Sequence, residues 1–155
     1  MFDRVVFTGN ARQLADCFPG VDELRPFLPQ ISALRSHGTT SVLCRIDPNG
    51  YSWIYMPSPD HRSHRIICTG NFSRNNNNGD ITTATIEFSE QMTEEEIRRQ
   101  LELIPFSPSY LAHHWEEYTY PVQDASSRAL IRELKERLEP RGIYLLGRFA
   151  EWEYY

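Results

Sequence analysis

The sequence is short of the features that announce a function. It contains no run of about 18 or more apolar residues, so no helical membrane span is expected. None of its 8 glycines falls into G-x-G-x-x-G, so the chain carries no dinucleotide-binding fingerprint of its own. Neither a P-loop nor the G-x-S-x-G elbow of a serine hydrolase is present. The 3 cysteines, Cys17, Cys44 and Cys68, are odd in number and widely spaced. They make no C-x-x-C pair and no disulfide framework, which points to a reducing cytoplasm with all of them as buried, inert thiols. The opening residues Met1-Phe2-Asp3-Arg4-Val5-Val6-Phe7 offer too short an apolar stretch for a secretory signal. A net charge of −5 supplies no overall basic footprint for nucleic acid.

What is present is an ordinary globular composition. The 155 residues are 40% hydrophobic and 24% charged, enough for one domain with a core and too few for two comfortable ones. Arg4 to Gly9 reads as a short, nearly continuous apolar strand of the kind buried on both faces. Pro19, Pro26 and Pro29 then punctuate a stretch of short helical turns and loop. From Thr39 the texture becomes β. Thr39 to Asp47 and Tyr51 to Met56 read as a hairpin across Pro48-Asn49-Gly50. His64 to Phe72 and Thr82 to Ser89 read as a second antiparallel pair with a polar tip over Asn75 to Gly79.

Helix signals follow. Thr93 to Glu96 is a capping box ahead of Ile97, Leu101 and Ile104, and Pro105 should stop that helix. Tyr110 to Val122 reads as a long aromatic strand. Asp124 to Leu138 is the plainest helix, with Leu130, Leu134 and Leu138 at four-residue spacing. Ile143 to Leu146 is another buried strand. The expected fold class is α+β: a largely antiparallel sheet of about four to six strands with two or three helices. The first and last strands look parallel and the middle ones antiparallel, which suggests two subdomains on one chain.

Candidate chemistry is sparse. His61, His64, His113 and His114 lack partners at metal-ligand spacing and read as hydrogen-bonded or solvated, so no metal is expected. Aromatic residues accompany arginines on the strands: Trp53, Tyr55, Trp115, Tyr118, Tyr120, Trp152, Tyr154 and Tyr155 beside Arg62, Arg65 and Arg148. Arginine grips a diphosphate with paired bonds and tyrosine donates a phenol to it. The plainer reading is that these rings fill the core and sheet surface. The run from Gly147-Arg148 to Tyr154-Tyr155 reads as a segment continuing into something larger, since domain ends are normally polar and frayed.

Those residues carry a family resemblance. Tyr120-Pro121-Val122, a helix, then Ile143-Tyr144-Leu145-Leu146-Gly147-Arg148-Phe149-Ala150-Glu151-Trp152-Glu153-Tyr154-Tyr155 resembles the closing section of UDP-galactopyranose mutases. Arg4 to Gly9, Leu34-Arg35-Ser36 and His64-Arg65-Ile66-Ile67 resemble further blocks of that family in the same order. The likeness extends more loosely to protoporphyrinogen-oxidase-like and amine-oxidase-like FAD proteins. The chain departs from the family pattern at Asn10, Leu34 and Cys68.

The resemblance implies a fragment of an FAD-dependent isomerase or oxidoreductase serving polysaccharide or lipopolysaccharide assembly. Residues 1–9 would be a strand of a Rossmann-type FAD domain that is otherwise missing. Residues 10–122 would form a substrate-domain-like α+β region, and 123–155 would return to the FAD domain. By position, Arg65, Tyr120 and Tyr154 would meet the diphosphate of a nucleotide-sugar substrate, while Gly147 and Arg148 would lie against FAD. The fragment alone should be inactive and should bind no FAD. Two other readings stay open: a non-catalytic module binding a nucleotide-sugar or glycan, and a structural protein whose strand edges pair with a partner. Homo-oligomerisation is left open by any of these.

Overall fold

Two apolar segments far apart in sequence meet in the backbone. The computed structural model describes residues 2–76 and 82–154. In it, β1 (Val5–Phe7) pairs in parallel with β7 (Ile143–Leu145), in the register Val5↔Ile143, Val6↔Tyr144 and Phe7↔Leu145. Further N–H donations, Val5 to the Gly142 carbonyl at 2.8 Å and Leu146 to the Phe7 carbonyl at 3.0 Å, extend the pairing at both ends. Gly142 makes the approach possible. Its φ is +76°, and a Cβ there would lie 2.5 Å from the Asp3 carbonyl oxygen.

This strand pair belongs to the first of two units, Met1–His37 with Tyr120–Tyr155; the second is Gly38–Thr119. Residues 10–37 therefore pack with the terminal segments, and the packing boundary falls after His37, whereas the sequence reading grouped 10–122 together. The proline-punctuated stretch forms short turns, as expected. They are α1 (Leu14–Cys17), a 3-10 segment over Asp22–Phe27 and α2 (Leu28–Ser32). Leu14, Leu24, Phe27, Ile31 and Leu34 from this region join Leu130, Ile131, Leu134 and Leu138 of α4 (Ala125–Leu138) in one core. Each such side chain contributes roughly 1.5–3 kcal/mol on burial. The leucine spacing of α4 is thus a core stripe. Asp124 is the helix's N-cap, accepting the Ser127 N–H at 2.7 Å while Ser127 Oγ receives the Asp124 N–H at 2.9 Å. Cys17 is exposed, which corrects its assignment as a buried thiol; α1 is a single turn and faces only Leu14 fully inward.

The second unit is built on a five-stranded antiparallel sheet, in the order β3-β4-β5-β2-β6. The strands are β2 (Ser36–Ile46), β3 (Trp53–Tyr55), β4 (Ser63–Ile67), β5 (Thr82–Phe88) and β6 (Ser109–Pro121). β2 pairs with β5 from Thr40↔Phe88 to Ile46↔Thr82, and β4 pairs with β5 through an irregularity between Ser63 and Arg65. α3 (Glu94–Leu101) starts on the expected capping box, with Glu96 N–H donating to Thr93 Oγ1 at 3.3 Å and Thr93 N–H to Glu96 Oε2 at 2.9 Å. Its Ile97 and Leu101, with Ile104 beyond, pack among Val42, Cys44, Ile66, Ala84, Ile86 and Phe88.

Three strand readings change. The hairpin expected between Thr39–Asp47 and Tyr51–Met56 does not form: β3 pairs with β4, and β2 sits between β5 and β6. The loop after β2 is drawn elsewhere by side-chain bonds. Asn71 Nδ2 donates to the carbonyls of Asn49 (2.9 Å) and Tyr51 (2.7 Å), and Tyr51 N–H donates to Asn49 Oδ1 (3.0 Å). The strand expected over His64 to Phe72 ends at Ile67, because Thr69–Phe72 closes into a 3-10 turn that presents Asn71 to that loop. The tip read over Asn75 to Gly79 lies, from residue 77 onward, outside the described residues.

Two stability outcomes follow. A Cβ on Gly38 would fall 2.3 Å from the Trp115 ring and 2.8 Å from the Glu116 carbonyl oxygen, whereas one on Gly50 would meet nothing within 4 Å. Gly38→Ala should therefore destabilise the chain by ~1–3 kcal/mol in urea unfolding through overpacking, and Gly50→Ala should be near neutral. Asp124 is held down from 3.8 to about 2 by the Ser126 hydroxyl first and the Ser127 N–H next. A depressed carboxyl stabilises the fold above its unfolded value and ceases to as pH falls through its folded one. The stability difference between wild type and Asp124→Ala, followed by thermal unfolding, should accordingly shrink as pH falls from 3.8 to about 2.

Candidate functional site

The C-terminal segment of the first unit turns sharply after β7. Gly147 has φ +94°, and its N–H donates to Glu151 Oε2 at 2.8 Å. In return, Glu151 N–H donates to the Gly147 carbonyl at 2.9 Å and Glu153 N–H to the Arg148 carbonyl at 2.9 Å. The second oxygen of Glu151 pairs with Lys135 of α4. Next along the chain is Trp152, buried to 1% exposure and held at φ +49°. A non-glycine residue in that region costs of order 1–3 kcal/mol. Burial of the indole among the core side chains offsets that cost. Its Nε1–H donates to the Val122 carbonyl at 3.3 Å, and its ring meets Phe149 edge-on at 5.6 Å. Trp152 is therefore core, as the plainer reading of the aromatic residues held.

The same turn sets out a partly exposed cluster, with Arg148 and Tyr154 exposed and Tyr120 half-buried. Tyr120, near the end of β6, and Tyr154 face each other with ring centroids 5.5 Å apart. The Arg148 guanidinium lies 5.2 Å from the Tyr120 ring and 5.4 Å from the Tyr154 ring. Two aromatic faces hold a cation by their quadrupoles and leave its edge N–H groups directional. A Cβ on Gly147 would meet nothing within 4 Å, so the backbone beside Arg148 has an open flank. Tyr120, Tyr154, Gly147 and Arg148, four of the five site residues read from the sequence, are thus brought together.

The fifth, Arg65, is on β4 in the second unit. Its Nε donates to Glu87, and its guanidinium lies 4.8 Å from the Trp53 ring. Burial alone would push the Glu87 carboxyl up; His64, whose Nε2 lies 3.4 Å away, and Arg65 together hold it below the ordinary carboxylate value. The positive charge of Arg65 is consequently met by a carboxylate on the neighbouring strand, a partnership that sequence spacing does not reveal.

The other candidates resolve into local bonding. His61 Nδ1 lies 2.9 Å from the Ser63 carbonyl oxygen and His113 Nδ1 2.7 Å from the Tyr110 hydroxyl. Among the described residues, no three His, Cys, Asp or Glu side chains group to hold a metal ion. Burial raises the Cys44 thiol to about 12 and pushes Cys68 up as well, so both are inert. No helix among the described residues is long and apolar enough to cross a membrane. A cavity of about 410 Å³ that the sequence reading did not anticipate lies beside α2 and the start of α4, lined by Gln30, Arg35, Asp124, Ser126, Leu130 and Arg132, among others. Arg35 Nη2 stands 3.7 Å from Asp124 Oδ2 there.

No protein-family model matches the chain, and no curated protein does. Among solved structures it is similar to a reduced UDP-galactopyranose mutase, at 19% identity and a TM-score of 0.79 over 99% of this chain and 37% of that one. It is also similar to a protein assigned as a protoporphyrinogen oxidase from Exiguobacterium sp. 255-15, at 15% identity and a TM-score of 0.62 over 94% of this chain and 36% of that one. An oxidoreductase from Methanosarcina mazei matches at 11% identity and a TM-score of 0.61, over 94% and 37%. At these identities the likeness is one of fold. The chain spans a little over a third of the length of each of these structures.

Removing the Glu151 carboxylate tests whether it holds the turn. Glu151→Ala should cost ~1–3 kcal/mol in urea unfolding, because the Gly147 N–H and the Lys135 charge lose their acceptor. Glu151→Gln, which keeps an acceptor oxygen, should cost less.

Proposed function

We propose that this chain is part of a larger FAD-dependent protein related to UDP-galactopyranose mutase, and that its first unit supplies one wall of the flavin and diphosphate site. The observation that carries the reading is the Arg148 guanidinium held against both Tyr120 and Tyr154, next to the open backbone of Gly147. A fixed cation flanked by phenols suits the phosphates of a nucleotide-sugar, and an unobstructed glycine flank suits the close approach of a flat ring system. The residues present therefore fit one side of an FAD site, while the absence of G-x-G-x-x-G assigns the cofactor's own diphosphate to another part of the parent protein. When bound, FAD would supply the redox or nucleophilic chemistry that no side chain here provides.

The roles of this chain's residues follow from their placement. Arg148 supplies positive charge, Tyr120 and Tyr154 orient it and donate phenolic hydrogen bonds, and Glu151 fixes the turn that presents them. Arg65 would meet phosphate only in competition with Glu87, which already engages its guanidinium. The two-stranded parallel pair of β1 and β7, with Val6 and Leu146 largely exposed, supports its completion by further strands of a Rossmann-type domain, since parallel sheets are normally covered on both faces. The physiological setting implied is cytoplasmic handling of a UDP-sugar for polysaccharide or lipopolysaccharide assembly, or the corresponding place in an FAD oxidoreductase. Three free cysteines accord with a reducing compartment.

On this reading the purified chain is colourless, and a stoichiometric flavin spectrum overturns it. Titration with UDP, followed by NMR shifts, should give a dissociation constant in the millimolar range, about −4 kcal/mol, with shifts that vanish in Arg148→Ala. Micromolar binding by the chain alone would instead favour a self-sufficient nucleotide-sugar module.

A further inference from the structure

The antiparallel register of β4 with β5 breaks at one place. Ser63 lies opposite Phe88 and Arg65 opposite Glu87, so β4 advances two residues where β5 advances one. His64 is the extra residue, and its carbonyl still accepts the Met56 N–H at 2.9 Å. In a regular strand, neighbours such as His64 and Arg65 point to opposite faces. A bulge re-aims a side chain, and here it brings both to one carboxylate. Arg65 Nε donates to Glu87 Oε2, and His64 Nε2 stands 3.4 Å from that same oxygen. Arg65 and Glu87 are largely enclosed, at 14% and 10% side-chain exposure, while His64 opens to solvent at 36%. Burial pushes the Glu87 carboxyl up, and the bonds from His64 and Arg65 outweigh it, so Glu87 is a carboxylate that two donors share.

The far side of the imidazole suits either charge state. His64 Nδ1 lies 3.2 Å from Ser89 Oγ. A hydroxyl donates to a neutral ring nitrogen and, after rotating, accepts from a protonated one. Protonation therefore costs no hydrogen bond there. The cross-strand partners around the cluster are Tyr55 for Arg65 and Ser41 for Glu87, and the Arg65 guanidinium lies 4.8 Å from the Trp53 ring. The next charged groups along the strands, Arg62 and Glu90, bond each other. With His64 neutral, the charges of Arg65 and Glu87 cancel. With His64 protonated, two cations face one carboxylate and the cluster is positive.

We propose that His64 is a positioning residue for Arg65: once protonated it engages Glu87, and Arg65 turns to a tetrahedral oxyanion of the phosphate or sulfate class, which therefore binds here together with a proton. This rests on the reading of Arg65 as a phosphate contact and names what decides its competition with Glu87. By linkage the reverse holds, and a bound oxyanion raises the proton affinity of His64.

Inorganic sulfate tests it, because its charge is constant between about pH 5 and 8, where imidazoles as a class titrate. NMR of the full chain, at an ionic strength fixed with chloride, follows the Arg65 Nε–H and the His64 ring. The affinity read at Arg65 should be on the order of fivefold or more higher at the acid end, and the His64 titration midpoint should rise as sulfate is added. His64→Gln keeps a neutral donor at a partly exposed position and should bind sulfate equally weakly at both ends. Glu87→Gln removes the competitor and should bind sulfate at the alkaline end as tightly as the wild type does in acid, with circular dichroism confirming its fold. The proposal is overturned if the wild-type affinity at Arg65 is the same at both ends, or if a folded Glu87→Gln gains nothing at the alkaline end. It is equally overturned if His64→Gln keeps the pH dependence, which would assign it to His37, His61, His113 or His114. Neither FAD nor UDP enters this test. Loss of the proton coupling while UDP still shifts through Arg148 removes this inference alone, and a failed UDP titration with the coupling intact removes only the nucleotide-sugar reading.

Discussion

The first unit depends on the parallel backbone pairing of Val5–Phe7 with Ile143–Leu145. Neither strand is long enough to persist alone, and closing so long a loop carries a chain-entropy cost that a few hydrogen bonds barely offset. The pairing holds because it shares a core with its surroundings: α4 sets Leu130, Leu134 and Leu138 beside Ile143 and Leu145, and the proline-rich turns add Leu14, Leu24 and Ile31. Gly142 admits the close approach of Asp3 that starts the register. A side chain there would hold the two strands apart at their first contact.

The exposed chemistry of the chain is a consequence of that core. Arg148 and Tyr154 lie outside, yet their positions are set by what is inside: the buried indole of Trp152 and the Glu151 carboxylate joined to both Gly147 and Lys135. Such support from beneath lets an exposed cation keep a defined place between two aromatic rings rather than sweep through solvent. The second unit treats Arg65 differently. There Glu87, depressed by His64 and Arg65 against the effect of its own burial, neutralises the arginine within the sheet.

Signals that act over a few residues were legible in the sequence. The Thr93 to Glu96 box, the Asp124 start of α4, its leucine stripe, and the parallel character of the first and last strands all depend on neighbours in sequence or on periodicity. Strand partnership was not legible. Pro48-Asn49-Gly50 has the composition of a hairpin turn, but Asn71 bonds the carbonyls of Asn49 and Tyr51 and draws the loop away, leaving β2 to pair with β5 and β6. Cys17 was misplaced for a similar reason, since burial of a residue in a one-turn helix depends on what docks against it.

By itself, then, the sequence determined the α+β class, most element positions and the Gly147-Arg148 turn with its aromatic followers, because propensity, capping and periodicity are local properties of the chain. Only the tertiary structure decided that Tyr120 and Tyr154 flank Arg148, that Trp152 is interior, that Glu87 claims Arg65, and that β6 is the sheet's long edge. Most of these depend on contacts between residues distant in sequence. Such contacts are selected by how the buried faces fit together, and that fit is written in no single segment.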